Sequence, residues 1–206
     1  MIDAWRLAVG TLTAIPTRPP GAIAPPTARW AMLLAPLAAL PLALGAAVGW
    51  AALRWTSAPP LLVGILVVAG LALATRGLHL DGLMDTADGV LSGAPRERAL
   101  EVMKDHNVGA MGVAAAVLRL VLKVAALGAL SRADAGAPLV AGWCAARALP
   151  ALAVYRWPYA REVGTGEAFT RARTPGPLWL AGGLLGAGVI VAGLSGAWAG
   201  AAGSWY

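Results

Sequence analysis

Charged side chains vanish from two long stretches of the chain. Trp30 to Leu53 and Pro177 to Tyr206 contain no Asp, Glu, Lys, Arg or His, and each exceeds the roughly 20 residues a helix needs to cross hydrocarbon. With the apolar stretches at about 59–76, 108–130 and 137–155 they predict five membrane spans: 30–53, 59–76, 108–130, 137–155 and 178–203. The second is short unless it continues toward Asp81. Pro36 and Pro41 predict a kink in the first. Residues 3–15 predict a helix lying in the interface, with Trp5 as an anchor and Arg6 on the wet side. That stretch carries Asp3, lacks a basic leader and runs into Pro16, Pro19 and Pro20, so it does not read as a signal peptide. The predicted fold class is all-α: a polytopic helical membrane protein, with residues 1–206 forming a single integral membrane domain.

Composition agrees with that pattern. The chain is 59% hydrophobic and only 13% charged, against about 25% charged in soluble domains. Its net charge of +6 does not point to nucleic acid, because the sixteen basic residues form no run and have no aromatic interleaving. They alternate between the spans instead. Arg6, Arg18 and Arg29 precede the first, Arg54 follows it, and Arg76, Arg96, Arg98 and Lys104 follow the second. Arg132 comes alone after the third, then Arg156, Arg161, Arg171 and Arg173 after the fourth. By the positive-inside rule the N-terminus and the 76–107 and 156–176 loops face the cytoplasm. Arg119, Lys123 and Arg147 fall inside spans, where a cation must snorkel, pair or face a polar interior; Arg119 and Lys123 share a helix face. The lone Cys144 reads as a small packing residue.

Acid is concentrated at one place. Asp81, Asp85, Asp88, Glu97, Glu101 and Asp105 are six of the ten acidic residues, and they begin where the second span meets the cytoplasm. Spacings of four and three put Asp81, Asp85 and Asp88 within about 60° of arc on a helix. Like charges so placed repel, and a bridging divalent cation explains them better than local helix stability does. The bland alternative is a solvated loop with Asp81-Gly82 and Asp88-Gly89 as turns. Oxygen ligands suit Mg²⁺, which one or two carboxylates commonly hold together with substrate phosphates. Zinc is disfavoured, since His79 and His106 stand far apart and there is one cysteine.

The expected metal set is Asp81, Asp85 and Asp88, with Asp105 joining from a second helix. Asp85 and Asp88 are the catalytic candidates, Asp88 serving either as a third ligand or as the base for the acceptor's proton. Arg76, Lys104 and Arg161 are expected near phosphates. His79 and Glu162 are further substrate-binding candidates, a capping or solvated role being the alternative for His79. Gly164 and Gly166 in the 156–176 loop allow close backbone approach but match no complete phosphate fingerprint.

The segments GLHLDGLMDTADGVLSG (77–93) and LEVMKDHNVGAMGV (100–113) resemble the cobalamin synthase family. LTAIPTRPPG (12–21), RWAMLLAPLAALPLALG (29–45) and YAREVGTG (159–166) extend the resemblance through most of the chain. It implies an Mg²⁺-assisted adenosylcobinamide-GDP ribazoletransferase of the bacterial cytoplasmic membrane. Such an enzyme transfers phosphocobinamide to the ribose 3′-hydroxyl of α-ribazole or its 5′-phosphate and releases GMP; self-association into a homo-oligomer is left open. Family members usually continue into further helices with a second Gly-Asp motif, so the resemblance implies that this chain lacks those helices and turns over poorly without them. The residues alone also admit a membrane phosphotransferase acting on a nucleotide-activated lipid alcohol, or a cation channel or transporter. Clustering of the acids at one helix end argues against an ion path.

Overall fold

The computed structural model describes residues 1–130, 136–161, 164 and 166–171; the predicted span 178–203 and Glu162 lie outside them. The described residues form eight α-helices and no strand: α1 (Ile2–Leu12), α2 (Pro25–Arg54), α3 (Pro60–Ala74), α4 (Leu78–Leu91), α5 (Arg96–Val102), α6 (Ala110–Ala129), α7 (Ala137–Arg156) and α8 (Glu167–Arg171). The described residues are all-helical, as the hydropathy pattern predicts. It divides into two compact units, one built on Met1–Thr56 and Ser131–Tyr206, the other on Ser57–Leu130.

In the first unit α2 is the central element. Pro25 and Pro26 occupy its opening positions, where a missing N–H costs nothing. Ala28, Ala31, Ala35, Ala38, Ala39, Ala43 and Ala47 then form a buried stripe that ends at the fully buried Trp50. Small side chains along one stripe let α1 and α7 come close to the α2 backbone. α1 presents Ala4, Ala8 and Val9 to Ala31 and Ala38, and Trp5 stays exposed. The helix ends sooner than the expected 3–15, because the Thr13 hydroxyl turns back to the Val9 carbonyl at 2.8 Å and takes the Ile15 N–H at 3.1 Å. On α7, Arg147 is buried with its guanidinium 3.9 Å from the centre of the Trp143 ring. A cation–π contact is one way to bury a charge in an apolar segment.

In the second unit α3 packs on α6 and α4 packs on both α5 and α6. A methyl group added at Gly64 would lie 2.6 Å from the Val124 carbonyl oxygen, so α3 and α6 approach backbone to backbone there. Gly64→Val is therefore expected to destabilise this unit by about 1–3 kcal/mol, the usual cost of overpacking. Thermal unfolding in detergent measures it, and an unchanged midpoint would contradict the close approach.

Three helices are long and apolar enough to cross a membrane, Pro25–Arg54, Ala110–Ala129 and Pro138–Arg156, with Pro60–Ala74 and Leu78–Leu91 as a bent pair. The chain is thus a membrane protein with three such helices among its described residues, or four if the pair is one broken span. The second span does not continue straight toward Asp81: the axis turns by 89° between α3 and α4. α3 has 15 residues, about 22 Å of helix against about 30 Å of hydrocarbon.

The corner has a local cause. The Gly77 N–H reaches the Ala72 carbonyl at 2.9 Å and the Arg76 N–H reaches Leu73 at 3.0 Å, the paired bonds of a Schellman cap. Arg76 (φ 52°) and Gly77 (φ 68°) are both left-handed. Glycine adopts that conformation freely, but an arginine pays for it.

Candidate active site

α4 begins at this corner with Gly77 as its N-cap and carries the acidic segment. Asp81-Gly82 and Asp88-Gly89 are not turns. Both lie within the helix, and Gly89 is small because a side chain there would meet Met103 and the Ala99 carbonyl. The helical spacing that puts Asp81, Asp85 and Asp88 on one face is therefore realised. Asp81 is exposed, and Asp85 and Asp88 are partly buried.

The three carboxylates differ in what they do. Asp88 accepts the Gly109 N–H through one oxygen and the Gly112 N–H through the other, each at 2.7 Å. These N–H groups are the N-cap and third positions of α6, donors that an isolated helix leaves unmet. A carboxylate from a neighbouring helix satisfies two of them and lies at the positive end of the α6 dipole. Methyl groups at Gly109 or Gly112 would run into the Asp88 carboxylate. Asp88, expected as a metal ligand or base, thus has a structural task that occupies both oxygens.

Asp105 is exposed and faces its own loop, accepting the Asn107 backbone N–H at 3.0 Å and side-chain N–H at 2.9 Å. Those two bonds, the backbone one foremost, hold its carboxyl below the ordinary aspartate range, helped by His106 and Arg98. Among the described residues no three His, Cys, Asp or Glu side chains gather as a ready-made metal cage. Asp81, Asp85, Asp88 and Asp105 are therefore not assembled as one ligand set. What the structure retains is Asp81 and Asp85 one turn apart on α4. A pair of carboxylates fits a hard cation that completes its shell with substrate phosphates and water.

Two of the three cations expected near phosphates belong to the same unit. Arg76 is exposed at the corner before α4, and Lys104 is exposed just after α5. His79 is half-buried in the first turn of α4, and its carbonyl accepts the Arg119 guanidinium at 2.9 Å. Arg161 belongs to the other unit, beyond the end of α7. In that loop Gly164 and Gly166 make room for the Tyr159 ring, so their smallness has a packing reason.

Sequence reasoning missed the partners of Asp88 and of Arg119. Glycines three apart at the start of a predicted span were the available signal for the first. Nothing local marks a backbone carbonyl forty residues away as the acceptor for the second.

Comparison with known proteins gives the arrangement its context. No solved structure matches the chain. An adenosylcobinamide-GDP ribazoletransferase of Nocardioides sp. is 47% identical over 188 residues, covering 90% of this chain and 80% of that protein. Namesakes from Syntrophobacter fumaroxidans and Klebsiella pneumoniae are 48% and 43% identical over 112 and 133 residues. Those two matches span about half of the relatives' own length, 45% and 53%. The family model described as cobalamin-5-phosphate synthase matches residues 4–206, nearly the whole sequence with both acidic and glycine segments, and the chain belongs to that family.

Proposed function

We propose that the chain is an adenosylcobinamide-GDP ribazoletransferase whose phosphoryl-transfer site is built on α4. The observation that carries this reading is the division of labour on that helix. Asp81 and Asp85 sit one turn apart at helical spacing beside a corner that exposes Arg76, and Asp88 on the same helix holds α6. The ribose 3′-hydroxyl oxygen of α-ribazole, or of its 5′-phosphate, attacks the phosphorus that bears cobinamide. The bond from that phosphorus to the bridging oxygen breaks, and GMP departs with the electron pair.

Such a displacement needs alignment and charge neutralisation more than covalent help from the protein. Arg76 and Lys104 supply positive charge for the pyrophosphate. Asp81 and Asp85 would hold Mg²⁺, which when bound neutralises phosphate oxygens and helps orient them. Asp85, partly buried, is the better placed of the two to receive the hydroxyl proton. Expression in cells whose own ribazoletransferase has been deleted tests the assignment. Cobalamin formation from supplied cobinamide is expected, and its absence despite membrane insertion would overturn the reading.

We also propose that the 76–107 segment faces the cytoplasm of a bacterial inner membrane, where the nucleotide substrate is found, on the strength of the alternating basic residues. Ser92 is exposed just after α4. A cysteine placed there, with Cys144→Ala, is expected to stay unlabelled by an impermeant thiol reagent outside intact cells and to react once they are opened. Labelling from outside would reverse the orientation.

A further inference from the structure

α4 and α6 are tied together at two points. At one end the Asp88 carboxylate takes the Gly109 and Gly112 N–H groups, and at the other the Arg119 guanidinium donates to the His79 carbonyl at 2.9 Å. The order is antiparallel: the later residue of α4 meets the earlier residues of α6. The ties are about 13 Å apart along α4 and about 10 Å apart along α6, at about 1.5 Å per residue, so the spacings match within the reach of an arginine side chain. Asp81 and Asp85 lie between them.

We infer that Arg119 is a positioning residue for the reaction, bracing the first turn of α4 so that Asp81 and Asp85 keep one fixed register against α6. This rests on the assignment of those two carboxylates to the site. Three features call for such a brace. The first turn follows an 89° corner and starts from two left-handed residues, Arg76 and Gly77, with no side-chain cap on its N-terminus. Asp81 and Asp85 repel each other at this spacing, which loosens the turn that carries them. Lastly, a cation within a span is costly, and Arg119 spends its charge on a backbone carbonyl of this very turn. Arginine suits the task, since its planar fork donates from a fixed geometry and its remaining N–H groups are free to bond elsewhere.

Arg119→Met keeps most of the side-chain stem and removes the donors. It is expected to lower kcat for GMP release tenfold or more, raise the Mg²⁺ concentration for half-maximal rate several-fold, and leave KM for adenosylcobinamide-GDP within about twofold. Arg119→Lys restores a charged donor and is expected to recover part of kcat. The structural readout is independent of activity: spin labels at Gly82→Cys and Val117→Cys, in a Cys144→Ala background, report the α4 to α6 distance. Both positions are exposed.

The distribution should widen in Arg119→Met and narrow again in Arg119→Lys. If Arg119→Met fails to fold, Arg119→Leu, which also lacks a donor, is measured in its place with the same expectations. An unchanged distribution, or a loss confined to KM, would overturn the brace. Full activity of Asp85→Asn would instead overturn the underlying site assignment, and the label distances would still report whether Arg119 fixes α4.

Discussion

Replacing Asp85 by Asn is expected to slow GMP release about 10²–10³-fold, the cost of one strong electrostatic contribution of about 2.7–4 kcal/mol to the transition state. Asn keeps the shape of the side chain and removes its charge and its capacity to hold a proton. Asp85 sits mid-helix on α4, partly buried and one turn from Asp81, so its charge faces a like charge at helical spacing. Removing it should even relieve a repulsion. The thermal midpoint in detergent should therefore hold or rise slightly as activity collapses. Retention of more than about a tenth of the rate would remove Asp85 from the chemistry.

For Asp88 the expected loss is of stability. Asp88→Ala deletes two hydrogen bonds to a charged acceptor, each typically about 1.5–3 kcal/mol. It also leaves two N–H groups unmet at the positive end of α6. A loss of about 3 kcal/mol or more is expected, a fall in thermal midpoint of roughly 6–12 °C for a chain of this length. Asp88→Asn keeps one acceptor oxygen and should fall between Asp88→Ala and the native protein. An unshifted midpoint with activity abolished would mean that Asp88 acts on substrate and not on α6.

The contrast between these neighbours shows where sequence reading reaches and where it stops. The apolar stretches of α2, α6 and α7 were legible because hydropathy over about 20 residues reflects one strong term, the cost of polar groups in hydrocarbon. The acidic face of α4 was legible because helical spacing is local. The corner at Arg76 was not: left-handed backbone is ordinary for Gly77 but unexpected for an arginine. Nor could spacing assign Asp88, since its partners Gly109 and Gly112 are 21 and 24 residues away, across α5. Three carboxylates on one face look equivalent until tertiary structure gives one of them a helix end to cap. The glycines at 164 and 166, which match no complete phosphate fingerprint, carry a similar lesson, as the ring of Tyr159 needs the space beside them.

The most direct test of the proposed reaction measures both products in one vessel. Purified protein in a bilayer is given adenosylcobinamide-GDP and Mg²⁺, with and without α-ribazole, and GMP and the cobalamin product are quantified together. Equal amounts of the two are expected, appearing only when α-ribazole is present and falling at least a hundredfold with Asp85→Asn. GMP release that proceeds without α-ribazole, or without matching cobalamin, would contradict it.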